Sequence, residues 1–409
     1  MVRYLIHFQY IGTKYCGVVR APKDTLATSG KIGVQDAIEK ALARLNPYQP
    51  TKIHVSSRTD AGVHALCNTA HFDLVRPPNK PPAFHDQSLC LGLNSFIDRS
   101  EQVRVMRARR VPDNFHCQHR AVSRSYLYRI AAGCTHRNLP ITERDRCWPV
   151  SPKLNVEAMK EATKIFLGTH DFSAFQSMSK DSSLKSPVKT MDSIEIAPSQ
   201  GFLSHHWSRD NTPDIQFLEV SFRSRSFLYR QIRRMVSALV SVGKGSRSLD
   251  EVKEVLESRN NAHPRMSHTA PPEGLYLKEV LYDEQAKALN ACCWTKLCIL
   301  GNTTAQQSRS KESRREVVKH CRYQNLYPCI QHEIRRMVSA LVSVGKGSRS
   351  LDEVKEVLES RNNAHPRMSH TAPPEGLYLK EVLYDEQDLL LENSSEPECE
   401  NLEYIQPKS

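Results

Sequence analysis

The segment Ser57-Arg58-Thr59-Asp60-Ala61-Gly62-Val63-His64-Ala65 places an acid at the tip of a tight turn that contains a glycine. Residues 52–56 alternate polar and apolar side chains and predict a β-strand before the turn, and residues 68–74 predict a second strand after it. Asp60 is therefore expected on a loop held by a rigid sheet, where catalytic groups are commonly placed. An isolated turn aspartate more often accepts hydrogen bonds from its own backbone, so a catalytic role depends on further segments of the chain.

The composition is that of an ordinary globular protein with an excess of positive charge. The 409 residues suffice for two domains or for one large composite domain. The formal net charge is +12 and the isoelectric point lies near 9.1. Such an excess favours a polyanionic partner, most simply nucleic acid, over a basic protein without one.

Basic residues concentrate in one stretch that predicts strand, loop and strand. Between Arg104 and Arg129 the only acid is Asp113. The basic members are Arg104, Arg107, Arg109, Arg110, His116, His119, Arg120, Arg124 and Arg129. We expect many of these side chains to share one surface that faces the polyanion.

The cysteines and the hydropathy exclude several classes of protein. The 12 cysteines form no Cys-x-x-Cys pair and show no recognised zinc spacing, so a reduced intracellular compartment is favoured and no metal is predicted. No apolar run approaches the length of a membrane span, so no membrane partner is predicted. Residues 3–10 already predict the first strand, which leaves no room for an amphipathic leader peptide.

Hydrophobic periodicity predicts an α+β protein. The predicted helices are 34–45, 88–96, 155–166, 227–242 and 249–258. The predicted strands are 3–10, 52–56, 68–74, 103–111, 124–131, 189–197, 215–222 and 275–282, and residues 11–31 are predicted as a loop. Interleaved helices and hairpin-like connections fit two α+β halves with largely antiparallel sheets better than a doubly wound parallel sheet.

The chain contains one exact internal repeat, because residues 232–285 recur unchanged as residues 334–387. An identical pair separated by unrelated sequence is typical of a recent duplication or of a gene-model error, since solenoid repeats drift. The predicted organisation is an N-terminal α+β half with the Asp60 loop at 1–132, a C-terminal α+β half at 133–285, a disordered insert at 286–333, a duplicate without function at 334–387 and a disordered tail at 388–409.

Two further segments carry side chains suited to an RNA site. In the strand that contains Tyr126 and Tyr128 the two rings share one face, where a tyrosine could stack on an unpaired base, although ordinary cross-strand aromatic packing is the alternative. In the predicted helix at 227–242, Arg233 lies at the edge of the apolar stripe, so its guanidinium could meet a carboxylate or remain at the surface. Arg230 and Arg234 are predicted to point more nearly away.

Together these segments resemble the tRNA pseudouridine synthase A (TruA) family, and most closely its animal synthase-like 1 branch. The matching segments, in order, are 58–64, 111–116, 124–128, 168–175, 227–236 and 274–277. The resemblance covers residues 3–282, and the string around Asp60 is highly specific. It does not cover the chain after residue 285, including the duplicate.

The resemblance implies an isomerase, an intramolecular transferase that converts uridine in RNA, most simply tRNA, to pseudouridine without a cofactor. It implies the pseudouridine synthase fold, in which two pseudo-symmetric halves meet around a central cleft. It also implies that Asp60 is the catalytic aspartate, that Tyr126 stacks near the target uracil, that Arg233 is the partner of the aspartate and that Arg58 helps to hold the flipped-out nucleotide. Homodimers are common in the family, and the branch implies mitochondria, although cytosol or nucleus stay open without a clear leader.

Two other functions are suggested by parts of the sequence. A non-catalytic RNA-binding protein could keep the same scaffold, but it has no use for an acid that faces phosphates. The segment Gly243-Lys244-Gly245-Ser246 suggests a phosphate loop, but the upstream glycine and the Gly-Lys-Ser order are missing, so a helix end is favoured.

Overall fold

The computed structural model describes residues 1–178, 186–202, 214–260, 263, 268–283, 326–359 and 371–378. These residues belong to two compact units. The first unit contains every described residue up to 283, and the second contains residues 326–359 and 371–378.

The first unit is built on a ten-stranded sheet. The strands are β1 (Val2–Tyr10), β2 (His54–Val55), β3 (His64–Leu74), β4 (Val103–Arg110), β5 (Ala121–Ala132), β6 (Trp148–Val150), β7 (Gly168–Asp171), β8 (Val188–Pro198), β9 (Gln216–Ser224) and β10 (Leu275–Tyr282). Their order is β4-β1-β3-β10-β5-β9-β8-β7, with β2 beside β3 and β6 beside β5. Among the described strands only β3 with β10 and β5 with β6 pair in parallel, so the predicted α+β class with a largely antiparallel sheet is confirmed.

Strand β10 connects the two predicted halves. It comes from the C-terminal half, yet it lies between β3 and β5 of the N-terminal half. Tyr276 pairs with His64 of β3, and Leu277 pairs with Tyr126 of β5. The two halves therefore share one uninterrupted sheet, while the boundary at 132/133 stays a prediction.

The described part of the first unit contains six α-helices, and one face of each longer helix is buried. They are α1 (Lys23–Ser29), α2 (Val34–Arg44), α3 (Asp86–Phe96), α4 (Val156–Lys164), α5 (Gln231–Gly243) and α6 (Leu249–Ser258). Helix α4 is capped by Asn155, the first residue of the predicted helix 155–166, because the Asn155 side chain accepts a hydrogen bond from the backbone N–H of Ala158. No helix in the described ranges is long and apolar enough to cross a membrane.

Two local predictions were wrong. The predicted loop at 11–31 contains the short helix α1, whose residues lack a clear apolar stripe. Helix α5 begins at Gln231 rather than at residue 227, because Arg230 adopts a left-handed backbone conformation with φ 58° that cannot continue a right-handed helix.

The second unit repeats the local structure of the duplicated segment. Its helices are α7 (Leu326–Gly345) and α8 (Leu351–Glu359). The Nε atom of Arg335 donates to the carbonyl of Ala372 at 2.6 Å, and Arg233 makes the same contact with Ala270 in the first copy. Residues 326–333 were predicted to be disordered and are helical, whereas residues 286–325 and 388–409 lie outside the described residues.

The two copies differ in burial although their sequences are identical. Met235 and Leu239 are fully buried in the first copy, whereas their counterparts Met337 and Leu341 are 56% and 65% exposed. In the first unit this apolar face of α5 packs against α4 and the turn Ser173–Phe175. The second copy therefore forms its helices locally while much of that face stays exposed.

A chain that ends at Gln285 is expected to fold like the full chain, because every described strand of the sheet precedes residue 284. Its thermal midpoint, measured by circular dichroism, should change by no more than about 3 °C. As a control, a chain that ends at Gly274 lacks β10 and should lose cooperative unfolding. Insoluble or unfolded protein from the Gln285 truncation would show that the second unit contributes to the fold.

Candidate active site

The Asp60 loop connects β2 with β3 and is held by backbone hydrogen bonds. Asp60 forms an isolated antiparallel bridge with Gly17, and the N–H of Val18 donates to the carbonyl of Thr59 at 3.3 Å. Within the turn, the N–H of Val63 donates to the carbonyl of Asp60 at 3.2 Å. The Asp60 loop is thus held by hydrogen bonds within its own turn and with the segment that follows β1.

Two glycines allow this close approach of backbones. Gly17 has φ +129°, and a Cβ atom there would lie 2.9 Å from the carbonyl oxygen of Thr59. A Cβ atom on Gly12 would lie only 1.9 Å from the carbonyl oxygen of Val63. The segment after β1 can therefore approach the Asp60 loop this closely only because Gly12 and Gly17 have no side chain.

Buried polar side chains on β1 and β3 form hydrogen bonds with the Asp60 loop. The Tyr10 hydroxyl lies 2.8 Å from Oγ1 of Thr59, and Nδ2 of Asn68 donates to the carbonyl of Ser57 at 3.0 Å. Burial raises the pKa of Tyr10 well above its ordinary value, so the hydroxyl is neutral and available for hydrogen bonding. Because Tyr10 is on β1 and Asn68 is on β3, the sheet itself positions the residues on either side of Asp60.

His64 ties the end of the turn to two other segments. Its Nδ1 accepts a hydrogen bond from the N–H of Gly12 at 2.9 Å, and its Nε2 donates to the carbonyl of Glu273 at 3.1 Å. The ring stacks on Tyr276 with centroids 4.5 Å apart. Burial lowers the pKa of His64 to about 4, so the imidazole is neutral and both nitrogens have partners.

Asp60 forms an ion pair with an arginine from the other end of the first unit. Nη1 of Arg233 lies 3.1 Å from Oδ2 of Asp60. The Arg233 side chain is 10% exposed and that of Asp60 is 24% exposed, so the cation is nearly enclosed while the carboxylate remains accessible. The arrangement supplies a compensated carboxylate that a ligand can still reach.

Arg233 is held by its helix and by the segment before β10. It lies in the first turn of α5, between the buried side chains of Ile232 and Val236. Its Nε donates to the carbonyl of Ala270 at 2.6 Å. A second anchor of this kind limits the rotamers of the guanidinium and fixes its distance from Asp60.

Tyr126 lies on β5 beside the pair. Its ring packs edge-on against Phe227 with centroids 5.1 Å apart, and the residue is 8% exposed. Burial and, less strongly, the negative charge of Asp60 raise the pKa of Tyr126 to about 12, whereas Arg124 opposes this shift. The phenol is therefore neutral near pH 7 and can act as a hydrogen-bond donor.

The predicted basic surface is divided by the structure. Arg129 is largely buried and pairs with the buried Glu143 at 2.9 Å, so it does not belong to an open basic surface. Arg110 donates to the carbonyl of Phe84 on the opposite side of β4 from Arg109, because neighbouring strand residues alternate faces. The prediction that many of these side chains share one surface therefore excludes Arg129, which is buried with Glu143, and Arg110, which lies on the other face of β4.

One arginine close to Asp60 was predicted to point away from it. Nε of Arg230, predicted to point away, lies 3.9 Å from Oδ2 of Asp60. Arg234, also predicted to point away, is buried and donates to the carbonyl of Gln176 at 2.6 Å. Arg58 is exposed two residues before Asp60. The helical periodicity missed Arg230 because this residue lies in the turn before α5.

The Arg124 side chain joins the loop to β5. Its Nε donates to Oγ of Ser57 at 3.0 Å, and its Nη1 donates to the carbonyl of Arg225 at 2.7 Å.

Within the residues that the structure describes, no three His, Cys, Asp or Glu side chains are grouped so as to hold a metal ion.

Comparisons with known proteins show which family and which relatives this chain is similar to. The family model described as tRNA pseudouridine synthase matches residues 162–283 and again residues 330–385, so both copies of the repeat are matched. The chain is 47% identical over 281 residues to tRNA pseudouridine synthase-like 1 of Xenopus laevis, which covers 69% of this chain and 91% of the relative.

Two further relatives extend the comparison. The human tRNA pseudouridine synthase-like 1 is 44% identical over 282 residues, which is 68% of this chain and 90% of the relative. The tRNA pseudouridine synthase A of Cereibacter sphaeroides is 35% identical over 282 residues, which is 69% of this chain and 98% of the relative.

Replacing Gly12 with Ala is expected to destabilise the protein by about 1–3 kcal/mol, because the added methyl group would overlap the Val63 carbonyl and displace the loop. Urea denaturation measures this change. Gly376→Ala is the control, since no atom lies within 4 Å of its new methyl group. Equal stability of the two variants would contradict the close approach.

Stability should fall as the pH is lowered from about 6.5 towards about 4. Burial lowers the pKa values of His64 and His71 to about 4 in the folded state from 6.5, so the unfolded chain binds protons first. The contribution is complete above pH 6.5 and is lost as the pH approaches the folded values. Thermal midpoints at pH 7 and pH 5 test this, and the difference should be smaller in His64→Gln, which cannot titrate. An unchanged difference in that variant would exclude His64 as a contributor.

Proposed function

Because this chain belongs to the tRNA pseudouridine synthase family, we propose that Asp60 is the carboxylate with which it isomerises uridine in tRNA to pseudouridine. One observation carries the proposal: Asp60 and Arg233 lie 173 positions apart in the sequence and meet at 3.1 Å. The carboxylate of this pair stays partly exposed, as a group that acts on a substrate must.

The reaction requires no net transfer of electrons or atoms to another molecule. The bond between ribose C1′ and uracil N1 breaks, and a bond forms between C1′ and C5 of the same base. The C5 hydrogen leaves as a proton, and N1 gains a proton. Three roles for Asp60 satisfy this balance, namely attack on the sugar, attack on the base and removal of a proton.

The neighbouring side chains suit a carboxylate reaction of this kind. Arg233 compensates the charge of Asp60 from its enclosed side, and the carboxylate remains accessible to a nucleotide on its other side. Tyr126 presents a neutral phenol whose pKa is coupled to Asp60, so it can donate a hydrogen bond to the base or pack against it.

The substrate must bring its uridine out of the stack to reach Asp60. Extrusion of a paired base costs a few kcal/mol, which contacts on the protein have to offset. Arg58 is exposed beside Asp60 and is suited to a contact with the extruded nucleotide. Homodimer formation and a mitochondrial location stay predictions from the family resemblance.

A purely RNA-binding protein is the second candidate. Binding alone does not explain a partly exposed carboxylate supported by the Tyr10 and Asn68 network, because such a charge repels the phosphates of RNA. Pseudouridine mapping of tRNA from cells that lack this protein distinguishes the two functions and identifies the modified uridine.

Asp60→Asn is expected to abolish pseudouridine formation while tRNA affinity changes by no more than a few-fold, because the amide keeps the shape but loses the charge. Tritium release from C5-labelled uridine and filter binding measure the two quantities. Asp192→Asn makes the same chemical change at an exposed position of β8 and should keep full activity. Normal turnover by Asp60→Asn would remove the catalytic assignment.

The duplicate offers a control with identical local sequence. Arg233→Ala is expected to lower turnover at least 100-fold, because Asp60 loses its enclosed cation. Arg335→Ala changes the corresponding residue of the second copy and should leave turnover unchanged. If Arg335→Ala lowered turnover as much as Arg233→Ala, the second copy would have to take part in the site.

A further inference from the structure

Arg230 places a second guanidinium beside Asp60. Its Nε lies 3.9 Å from Oδ2, the same oxygen that Arg233 contacts at 3.1 Å. The Arg230 side chain is 42% exposed, and its guanidinium lies 4.9 Å from the centre of the Tyr229 ring. Two arginines thus lie beside the carboxylate of Asp60: Arg233 is nearly buried, and Arg230 is exposed.

The exposed ion pair between Arg230 and Asp60 contributes little to fixing the position of the Asp60 carboxylate. Exposed ion pairs at about 4 Å are screened by water and are worth little, whereas Arg233 already donates a hydrogen bond from an enclosed position. One carboxylate neutralises one of the two cations. A positive charge therefore remains on the open side of the site.

The backbone of Arg230 is left-handed, and its part in the turn can be separated from that of its side chain. Arg230 has φ 58° and ψ 12°, a left-handed conformation that glycine adopts freely and other residues adopt at a cost. The turn needs only its backbone, because the Arg230 carbonyl accepts from the N–H of Arg234 at 3.1 Å. Glycine at this position would therefore preserve the turn, so the role of the Arg230 side chain can be tested separately from that of its backbone.

A phosphodiester is the ligand that fits this position. A nucleotide whose C1′ lies at Asp60 carries a phosphate on each side of its sugar, within reach of a flexible arginine. The guanidinium has five N–H donors in a planar fork that matches two phosphate oxygens, and its recorded approach to Asp60 is through Nε at 3.9 Å, which is too long for a hydrogen bond. We propose that Arg230 binds an RNA backbone phosphate next to the nucleotide held at Asp60. This inference rests on the proposed function, because it takes RNA as the substrate.

The test compares Arg230→Gly with Arg259→Gly. Glycine keeps the left-handed turn in both, so each variant removes only the side chain. Arg259 is a close match, since it has φ 51°, is 72% exposed and lies 4.0 Å from Oδ2 of Asp171. The tRNA dissociation constant is measured between about 50 and 200 mM KCl, where the logarithm of affinity falls linearly with the logarithm of salt concentration.

Arg230→Gly is expected to weaken tRNA binding about five- to 20-fold at the lower salt concentration and to reduce the salt slope by about 0.7–0.9, the range from single strands to duplex for one lost phosphate contact. Arg259→Gly should keep the wild-type slope. An unchanged slope in Arg230→Gly, with altered single-turnover rates or an altered pH profile, would show that Arg230 acts on Asp60 instead of on RNA and would overturn the proposal.

The slope does not depend on turnover, which separates this inference from the proposed function. It is also measured in Asp60→Asn, where the ion pair is absent and Arg230→Gly should still reduce the slope. Absence of pseudouridine formation by the wild-type protein, together with the reduced slope, would refute the proposed function and retain the phosphate contact. Pseudouridine formation by the wild-type protein, together with an unchanged slope in Arg230→Gly, would retain the proposed function and refute the phosphate contact.

Discussion

The ion pair between Asp60 and Arg233 is the contact on which the site depends. The two residues belong to a β-turn and to a helix that are far apart in the sequence, and β10, which follows that helix, lies between β3 and β5 of the same sheet. That strand brings the chain back to the Asp60 loop from the C-terminal half. The carbonyl of Ala270, a few residues before β10, then holds the guanidinium of Arg233 in place.

The loop around Asp60 shows how a fold fixes the position of a functional carboxylate. Backbone contacts with Gly12 and Gly17 enclose it, while the hydroxyl of Tyr10 and the amide of Asn68 support it. These groups belong to the segment after β1 and to the sheet, so the loop cannot move independently of them. A carboxylate held in this way meets its ligand without reorganisation, which is the usual basis of electrostatic catalysis.

The internal repeat separates what a sequence specifies locally from what its surroundings decide. Residues 232–285 and 334–387 are identical, and both copies form helices and the same arginine-to-carbonyl contact. The first copy buries Met235 and Leu239, because α4 and the Ser173–Phe175 turn pack against its helix, whereas the corresponding Met337 and Leu341 are exposed. Local hydrogen bonding is thus a property of the segment, whereas burial of its apolar face requires partners.

The sequence by itself determined the family, the α+β class, most helices and strands and the residues Arg58, Asp60, Tyr126 and Arg233 as candidates, because periodicity and a specific string are local features. It did not determine that β10 enters the N-terminal half, that Arg129 is buried with Glu143 or that Arg230 reaches Asp60. Those facts follow from strand order and from one left-handed residue before α5. Only the tertiary structure decides them. The sequence pattern of a strand does not specify which strands pair with it, and helical periodicity does not predict the direction of a side chain outside the helix.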